Sequence, residues 1–325
     1  RGFNFTQICF INGLVDRIHL YKIETDYCFK YIYWALCYYF HIRRVILPRQ
    51  FAIRNTKAKN IMKTLVILMG NSRGSEVAWQ SLYDRVLTPL NADLALVLGK
   101  GEKENSLYKR AKYIKLFDEF SDWGDCIDMI ARKECLDQDT LDNWRSWLLQ
   151  NDKDGLWGGV SKNGENILGS GAIGFCMRYF VKEFILEHSL TDQYDRFIIT
   201  RTDHYYLSDH PVLDDKFEWI PTGEDYGGIC DRHLIVRKKN VVKALDVLIW
   251  CLKLKRTLPG NPEFIELNYF RVIGLNIKRF DRTFFLVKTK DDMTRWGVCE
   301  TYIDQLGLYV KYNREYTLSL KNHYQ

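Results

Sequence analysis

The 325-residue sequence lacks the marks of several large protein classes. Its nine cysteines, Cys9, Cys28, Cys37, Cys126, Cys135, Cys176, Cys230, Cys251 and Cys299, form no C-x-x-C pair. That argues against a zinc site and against a disulfide scaffold, and leaves buried, reduced thiols as the simplest reading. Neither G-x-G-x-x-G nor G-x-x-x-x-G-K-[ST] occurs, so the dinucleotide-binding and P-loop fingerprints are both missing. There is no internal repeat and no low-complexity tract. The longest membrane-like run, Tyr31–Ile42, spans twelve residues, where a bilayer-crossing helix needs about 20.

Excess charge is also missing from most of the chain. Residues 1–61 hold ten Lys/Arg against three Asp/Glu, and residues 62–325 hold 37 against 38. The body is therefore neutral and offers no electrostatic footprint for nucleic acid. The leader, 1–61, is basic and aromatic-rich, with Lys30 and Arg43-Arg44 bracketing its apolar run. It reads as a signal-anchor with a cytoplasmic basic flank, as a packed amphipathic segment, or as an upstream extension of the gene. Met62 directly precedes the first clean strand pattern. Any membrane association is expected only through residues 27–47. The thiols point to the cytoplasm, and an anchor there would point to the Golgi or ER membrane.

From Met62 onward strands and helices alternate, which predicts an α/β domain over 62–300 and a C-terminal extension over 301–325. Thr64–Met69 reads as a buried strand ending in the turn Gly70-Asn-Ser-Arg-Gly74. Ser75 is expected to cap a helix whose apolar face carries Val77, Ala78, Leu82 and Val86, stopped by Pro89. Asp93–Leu98 is a second strand. Helical segments are expected over Leu107–Phe117 and Asp139–Gln150. The glycine-rich stretch Trp157–Gly171 reads as a mobile loop, a candidate lid. A helix over Ala172–His188 leads to a strand at Phe197–Thr200, and Leu234–Val236 is another strand. One long helix is expected over Asn240–Leu254, a shorter one capped by Asn261-Pro-Glu263, and a last strand at Thr283–Val287.

Polar residues gather where these strands end, which is where ligands bind in open α/β sheets. The first group is Gly70–Gly74, whose turn brings backbone N–H groups towards an anion. Asn71 and Arg73 are its candidates for contact with a nucleotide. The second is Arg201-Thr202-Asp203-His204. A carboxylate after an apolar strand suits a divalent cation bridging two phosphates, and His204 would favour Mn²⁺ over Mg²⁺. Arg201 could instead neutralise a phosphate itself, or simply pair with Asp203. The third is Gly223-Glu224-Asp225-Tyr226-Gly-Gly228 followed by Asp231-Arg232-His233. There a carboxylate could take the proton of an acceptor hydroxyl or stabilise an oxocarbenium-like transition state, and glycines allow close backbone approach. A turn held by an Asp231–Arg232 link is the plain alternative. Glu263 in the first turn of a helix suits the helix dipole regardless of function. Trp157 and Tyr205-Tyr206 are the aromatic residues set aside for stacking on a base or sugar.

The segments NSRGSEVAWQSLYDRVLTPLNADLALVLG, YDRFIITRTDHYYL, GEDYGGICDRHL and DDMTRW resemble, in this order over about residues 63–296, a domain-of-unknown-function family of GT-A-like proteins from plants, algae and large viruses. More loosely, RTDHYYL, ICDRHLIV and NPEFIELNYF resemble the D-x-D strand, the N-x-G strand and the D-Q helix of glycogenin-like retaining transferases. The resemblance implies an open, twisted, mostly parallel sheet flanked by helices. It also implies transfer of a sugar from a nucleoside diphosphate sugar to a glycan or other hydroxyl acceptor. On this mapping Asp203 with His204 would hold Mn²⁺ or Mg²⁺, Arg201, Asn71 and Arg73 would contact the donor, and Asp231, Glu224 and Asp225 are the catalytic candidates, with Glu263 at the position of the D-Q acid. The chain departs from the pattern in three places: Arg201 stands for the first acid, Asp231 for the Asn, and the Gln is absent. A non-catalytic nucleotide-sugar or glycan binder on the same fold is the rival reading. A nucleotide-dependent hydrolase is disfavoured by the missing phosphate-loop fingerprints.

Overall fold

The computed structural model describes residues 62–101, 105–150, 155–292 and 301–324. The leader, with its candidate anchor at 27–47, lies outside them, as do Cys9, Cys28, Cys37, Cys299 and Met293–Trp296 of the DDMTRW segment. Among the described residues thirteen strands occur: β1 Thr64–Gly70, β2 Asp93–Gly99, β3 Tyr113–Phe117, β4 Ser161–Lys162, β5 Glu165–Asn166, β6 Arg196–Thr200, β7 His204–Tyr206, β8 Glu218–Pro221, β9 His233–Arg237, β10 Ile277–Phe280, β11 Phe284–Lys288, β12 Thr301–Ile303 and β13 Leu308–Val310. The main sheet has seven strands in the order β10-β8-β9-β6-β1-β2-β3. Its pairings are parallel except on the two sides of β9. A second sheet, β12-β13-β11-β7, is antiparallel.

β1 shows why this sheet lies inside. Leu65, Ile67 and Met69 face one apolar cluster, while Val66 and Leu68 face another. A strand that buries both faces reads as a continuous apolar run, and parallel sheets are covered on both sides. The first cluster packs against α2 Trp123–Lys133, α3 Gln138–Leu148 and α4 Gly171–Glu187. It also packs against α5 Lys238–Ala244, α6 Val247–Lys253 and α7 Pro262–Val272. The second cluster packs against α1 Ser75–Leu82 and strands β7, β11 and β13. The residues beyond 300, expected as an extension, complete this second layer with β12, β13 and α8 Asn313–His323. Among the described residues no helix is long and apolar enough to cross a membrane.

Several local expectations are corrected. Ser75 does not cap α1; Gly74 does, at φ 92°, with no side-chain cap, and Ser75 itself has φ 78°. Pro89 does not stop the helix. After a wide π-helical turn, Tyr83–Leu87, it sits at the start of one more turn ending at Leu90, where its missing N–H costs little. Tyr113–Phe117 is an edge strand rather than helix, and its alternating exposure is the period-2 signal of one. The helix expected over Asn240–Leu254 breaks at Leu245-Asp246, where Asp246 Oδ1 accepts a 2.7 Å hydrogen bond from Lys182 of α4. The stretch Trp157–Gly171 is a packed hairpin. Trp157 is buried against Trp144 and Phe175, and a Cβ on Gly158 would lie 2.3 Å from the Gly169 carbonyl carbon. Glycine here serves close packing, not the hinge of a lid.

Candidate active site

The register of β6 and β9 organises the site. Thr200 lies opposite His233 in an antiparallel pair, so Arg201-Thr-Asp203 leaves β6 beside Asp231-Arg232 entering β9. The turn after β1 docks on the same place. The Arg73 N–H donates to Thr202 Oγ1 at 3.0 Å, and the Thr202 hydroxyl donates to the Asn71 carbonyl. Gly74 packs on Asp203 so closely that a Cβ would sit 2.9 Å from the Asp203 Cα, and its φ of 92° disfavours any side chain.

Asp203 sits at the centre. Arg201 grips it as a fork, Nε to Oδ1 and Nη2 to Oδ2, both at 2.8 Å, and only 3% of the carboxylate side chain is exposed. Burial alone would raise its pKa, but the charge and hydrogen bonds of Arg201 hold it well below the usual carboxylate range. Two further cations stand nearby. The Arg73 guanidinium has no ion pair among the described residues; burial and then Arg201 lower its pKa, against the pull of Asp203, Asp292 and Glu119. Lys311, just beyond β13, also has no ion pair among the described residues. Burial, then repulsion from Arg201, Arg73 and Arg232, brings its pKa down to about 8 despite Asp203.

The other end of the site is acidic. Asp231 Oδ1 accepts from Arg232 Nη1 at 3.0 Å, and the Arg232 guanidinium also reaches Glu315 at 3.2 Å and Glu263 at 3.6 Å. Glu263 and Glu266 lie three apart on α7 and so share a face. Burial pushes Glu263 up to about 7, with Asp231 adding repulsion against Arg232 and Arg178. Burial pushes Glu266 up to about 8 against the pull of Arg178, with Asp231 and Glu263 adding to the rise. Arg178 Nη2 donates to Glu266 at 3.0 Å and to the Asp231 carbonyl at 2.6 Å. The Tyr312 ring joins the two ends, with the Arg232 guanidinium 5.1 Å and the Lys311 ammonium 5.6 Å from its centroid. Beneath them the fully buried Glu315 of α8 ties Arg232 to Arg282 and accepts from the Leu286 N–H.

The expected site residues therefore divide. Asn71, Arg73, Arg201, Asp203 and Asp231 come together. His204 does not join them. It belongs to β7, and its ring is buried on Phe284 with centroids 4.7 Å apart, its Nδ1 2.9 Å from Thr200 Oγ1. There it forms a neutral aromatic floor with His233 and His210, whose rings stack at 5.5 Å. Burial lowers the pKa of all three imidazoles, that of His210 to about 4. Tyr206 joins the same floor. Asp225 is bound by Arg279 of the sheet-edge strand β10. Glu224 lends its backbone carbonyl to Arg232 at 2.9 Å, with a left-handed φ of 50°. Gly228 meets not an open ligand space but the start of α7, where a Cβ would lie 2.0 Å from the Glu263 carbonyl oxygen.

The residues do not fit a metal held as expected from Asp203 and His204. Each Asp203 oxygen already accepts a hydrogen bond from the Arg201 guanidinium, whose charge stands where the cation would, and the His204 ring is buried in the core with Nδ1 on Thr200. Among the described residues no group of three or more His, Cys, Asp or Glu is arranged to hold a metal ion. Sequence reasoning missed Arg178, Glu266, Lys311, Tyr312 and Glu315. The i, i+3 acids of helix NPEFIEL were a usable signal; Lys311 and Tyr312 carried none, because they enter through the second sheet.

No family model matches the chain, and no curated relative does; the family resemblance rests on its motifs alone. Among solved structures, mouse xyloside xylosyltransferase 1 in its apo form is similar with a TM-score of 0.34 and 11% identity, over 68% of this chain and 86% of that one. A likeness this slight bears on neither mechanism nor substrate.

Proposed function

We propose that this protein transfers a glycosyl group from a nucleoside diphosphate sugar to a hydroxyl acceptor. The observation that carries the reading is the pairing of a cationic end, Arg73, Arg201 and Lys311, with an acidic end where Asp231 adjoins Glu263, whose pKa burial pushes up to about 7. Glycosyl transfer needs both. The bond between the anomeric carbon and the phosphate oxygen breaks, so the departing diphosphate gains negative charge that fixed cations stabilise. The new bond forms to the acceptor oxygen, whose proton must pass to a base. A carboxyl with a pKa of about 7 suits that transfer at neutral pH, and Asp231 lies between this acid and the cations. Glu224 and Asp225 have lesser parts here, since one acts through its carbonyl and the other is neutralised by Arg279.

The test is a turnover assay on the full chain with UDP-, GDP- and dTDP-sugars, following release of the nucleoside diphosphate. Release from one donor class that falls at least about a hundredfold in Asp231→Asn supports the reading. A folded protein that releases nothing from any of them contradicts it. The second reading, a binder without turnover, is favoured by the Arg201–Asp203 fork, which replaces the paired acids of the D-x-D pattern. Donor binding without release would support it.

A further inference from the structure

The cationic end deepens this reading, on which the inference rests. We propose that the donor's diphosphate is bound directly by Arg73, Arg201 and Lys311, with no divalent cation between it and the protein.

The argument begins with what Asp203 can still offer. A divalent cation on a nucleoside diphosphate is held to the protein by carboxylate oxygens. Here both oxygens of Asp203 accept from the planar guanidinium of Arg201 at 2.8 Å, in a nearly buried side chain. A metal on Asp203 would have to share its two oxygens with this bidentate pair and sit beside the fixed charge of the guanidinium. Arg binds carboxylate and phosphate through the same fork geometry, and its remaining N–H groups can serve a phosphate while it holds Asp203.

The second part is the placement of the other cations. Asp203 O accepts from the Val287 N–H at 2.8 Å, and the Lys311 N–H donates to Leu286 O at 2.8 Å. Asp203, just before β7, and Lys311, just after β13, therefore flank neighbouring residues of β11 on its two sides. Arg73 arrives from the turn after β1, which is fixed to this spot by Thr202 and by the close approach of Gly74 to Asp203. Asp292 borders that turn, with its carboxylate taking the N–H groups of Gly74 and Thr289. Arg73 and Lys311 thus bring two positive charges with no ion pair among the described residues to one spot. Burial and the neighbouring Arg201 weigh against the charged form of both, and an anion between them would offset that.

The experiment is calorimetric titration of the full chain with UDP, GDP, dTDP and inorganic pyrophosphate, once in EDTA and once in MnCl2. The expected result is that one nucleoside diphosphate binds in EDTA with an affinity within about threefold of that in Mn²⁺. Lys311→Met and Arg73→Met, each melting as the parent does, should each weaken it by about tenfold or more. Binding that requires Mn²⁺ would overturn the inference and leave the transferase reading standing. Binding by neither route would overturn both. Parental affinity in both folded variants would overturn the assignment of the cations, and the EDTA comparison needs no variant at all.

Discussion

The two carboxylate groups of the site, Asp203 after β6 and Glu263 with Glu266 on α7, are driven in opposite directions by their surroundings. Asp203 is gripped by Arg201 and stays ionised. Glu263 and Glu266 are buried beside Asp231 and each other, and stay protonated to about 7 and about 8. Both groups have arginines at hand. The difference is stoichiometry: one carboxylate has a whole guanidinium to itself, while four, Asp231, Glu263, Glu266 and Glu315, share Arg178 and Arg232. Groups whose environments push their pKa values apart mark out which does electrostatic work and which moves protons. By that rule the proposed transfer would use Asp203 to orient Arg201 and Glu263 to carry the proton.

The largest expected effect comes from breaking the acidic end. Glu263→Gln should cost about 10²–10⁴-fold in turnover while nucleotide affinity stays near that of the parent, checked by rate and calorimetry on the same sample. A loss confined to affinity would merge the two ends into one binding site. Next in size is the cationic end. Arg201→Met leaves a buried carboxylate without its partner and should destabilise the fold by about 3–5 kcal/mol. The double change Arg201→Met with Asp203→Asn should recover much of that, read by denaturant melts. No recovery would mean that Arg201 stabilises through other contacts. A smaller effect tests the seam between the ends: Gly228→Ala pushes a methyl group into the start of α7 and should cost about 1–3 kcal/mol, with a larger fall in turnover than in nucleotide binding.

The smallest effect is on the pH dependence of stability. Glu263 and Glu266 have folded pKa values above the ordinary 4.5. Between about 4.5 and about 8 unfolding therefore releases their protons, and their contribution to stability falls as pH rises through that window. Glu266→Gln should flatten the slope there. The buried histidines work in the opposite sense. Their folded pKa values lie below the ordinary 6.5, so stability drops as pH falls from about 6.5 towards 4. Chemical melts across pH 4–9 on the parent and Glu266→Gln separate the two.

How much of this was legible in the sequence follows from what is local. The strands β1, β2, β6 and β9 announce themselves as apolar runs, and Asn261 caps α7 as its N-P-E motif predicts, accepting from the Phe264 N–H at 2.9 Å. Asp203, Arg201, Arg73 and Asp231 were found because each stands at the end of such a strand. His204 was misread because neighbouring strand residues point to opposite faces: Asp203 turns to the cations and His204 to the core. The hairpin at Trp157 was misread because glycine permits both a hinge and close packing, and only the third dimension tells them apart. Lys311, Tyr312 and Glu315 were invisible because they reach the site through β11 and β13, a pairing between segments far apart in the chain.

The central claim is that one end of the site carries fixed charge and the other a proton. An infrared titration of the full chain from pH 5 to pH 9, following the carboxyl C=O stretch, tests it without any assumption about substrate. Protonated carboxyl signal that persists above pH 6, disappears towards pH 9, and is reduced in Glu263→Gln and in Glu266→Gln is the predicted result. Complete ionisation of every carboxyl group by pH 6 would contradict the account.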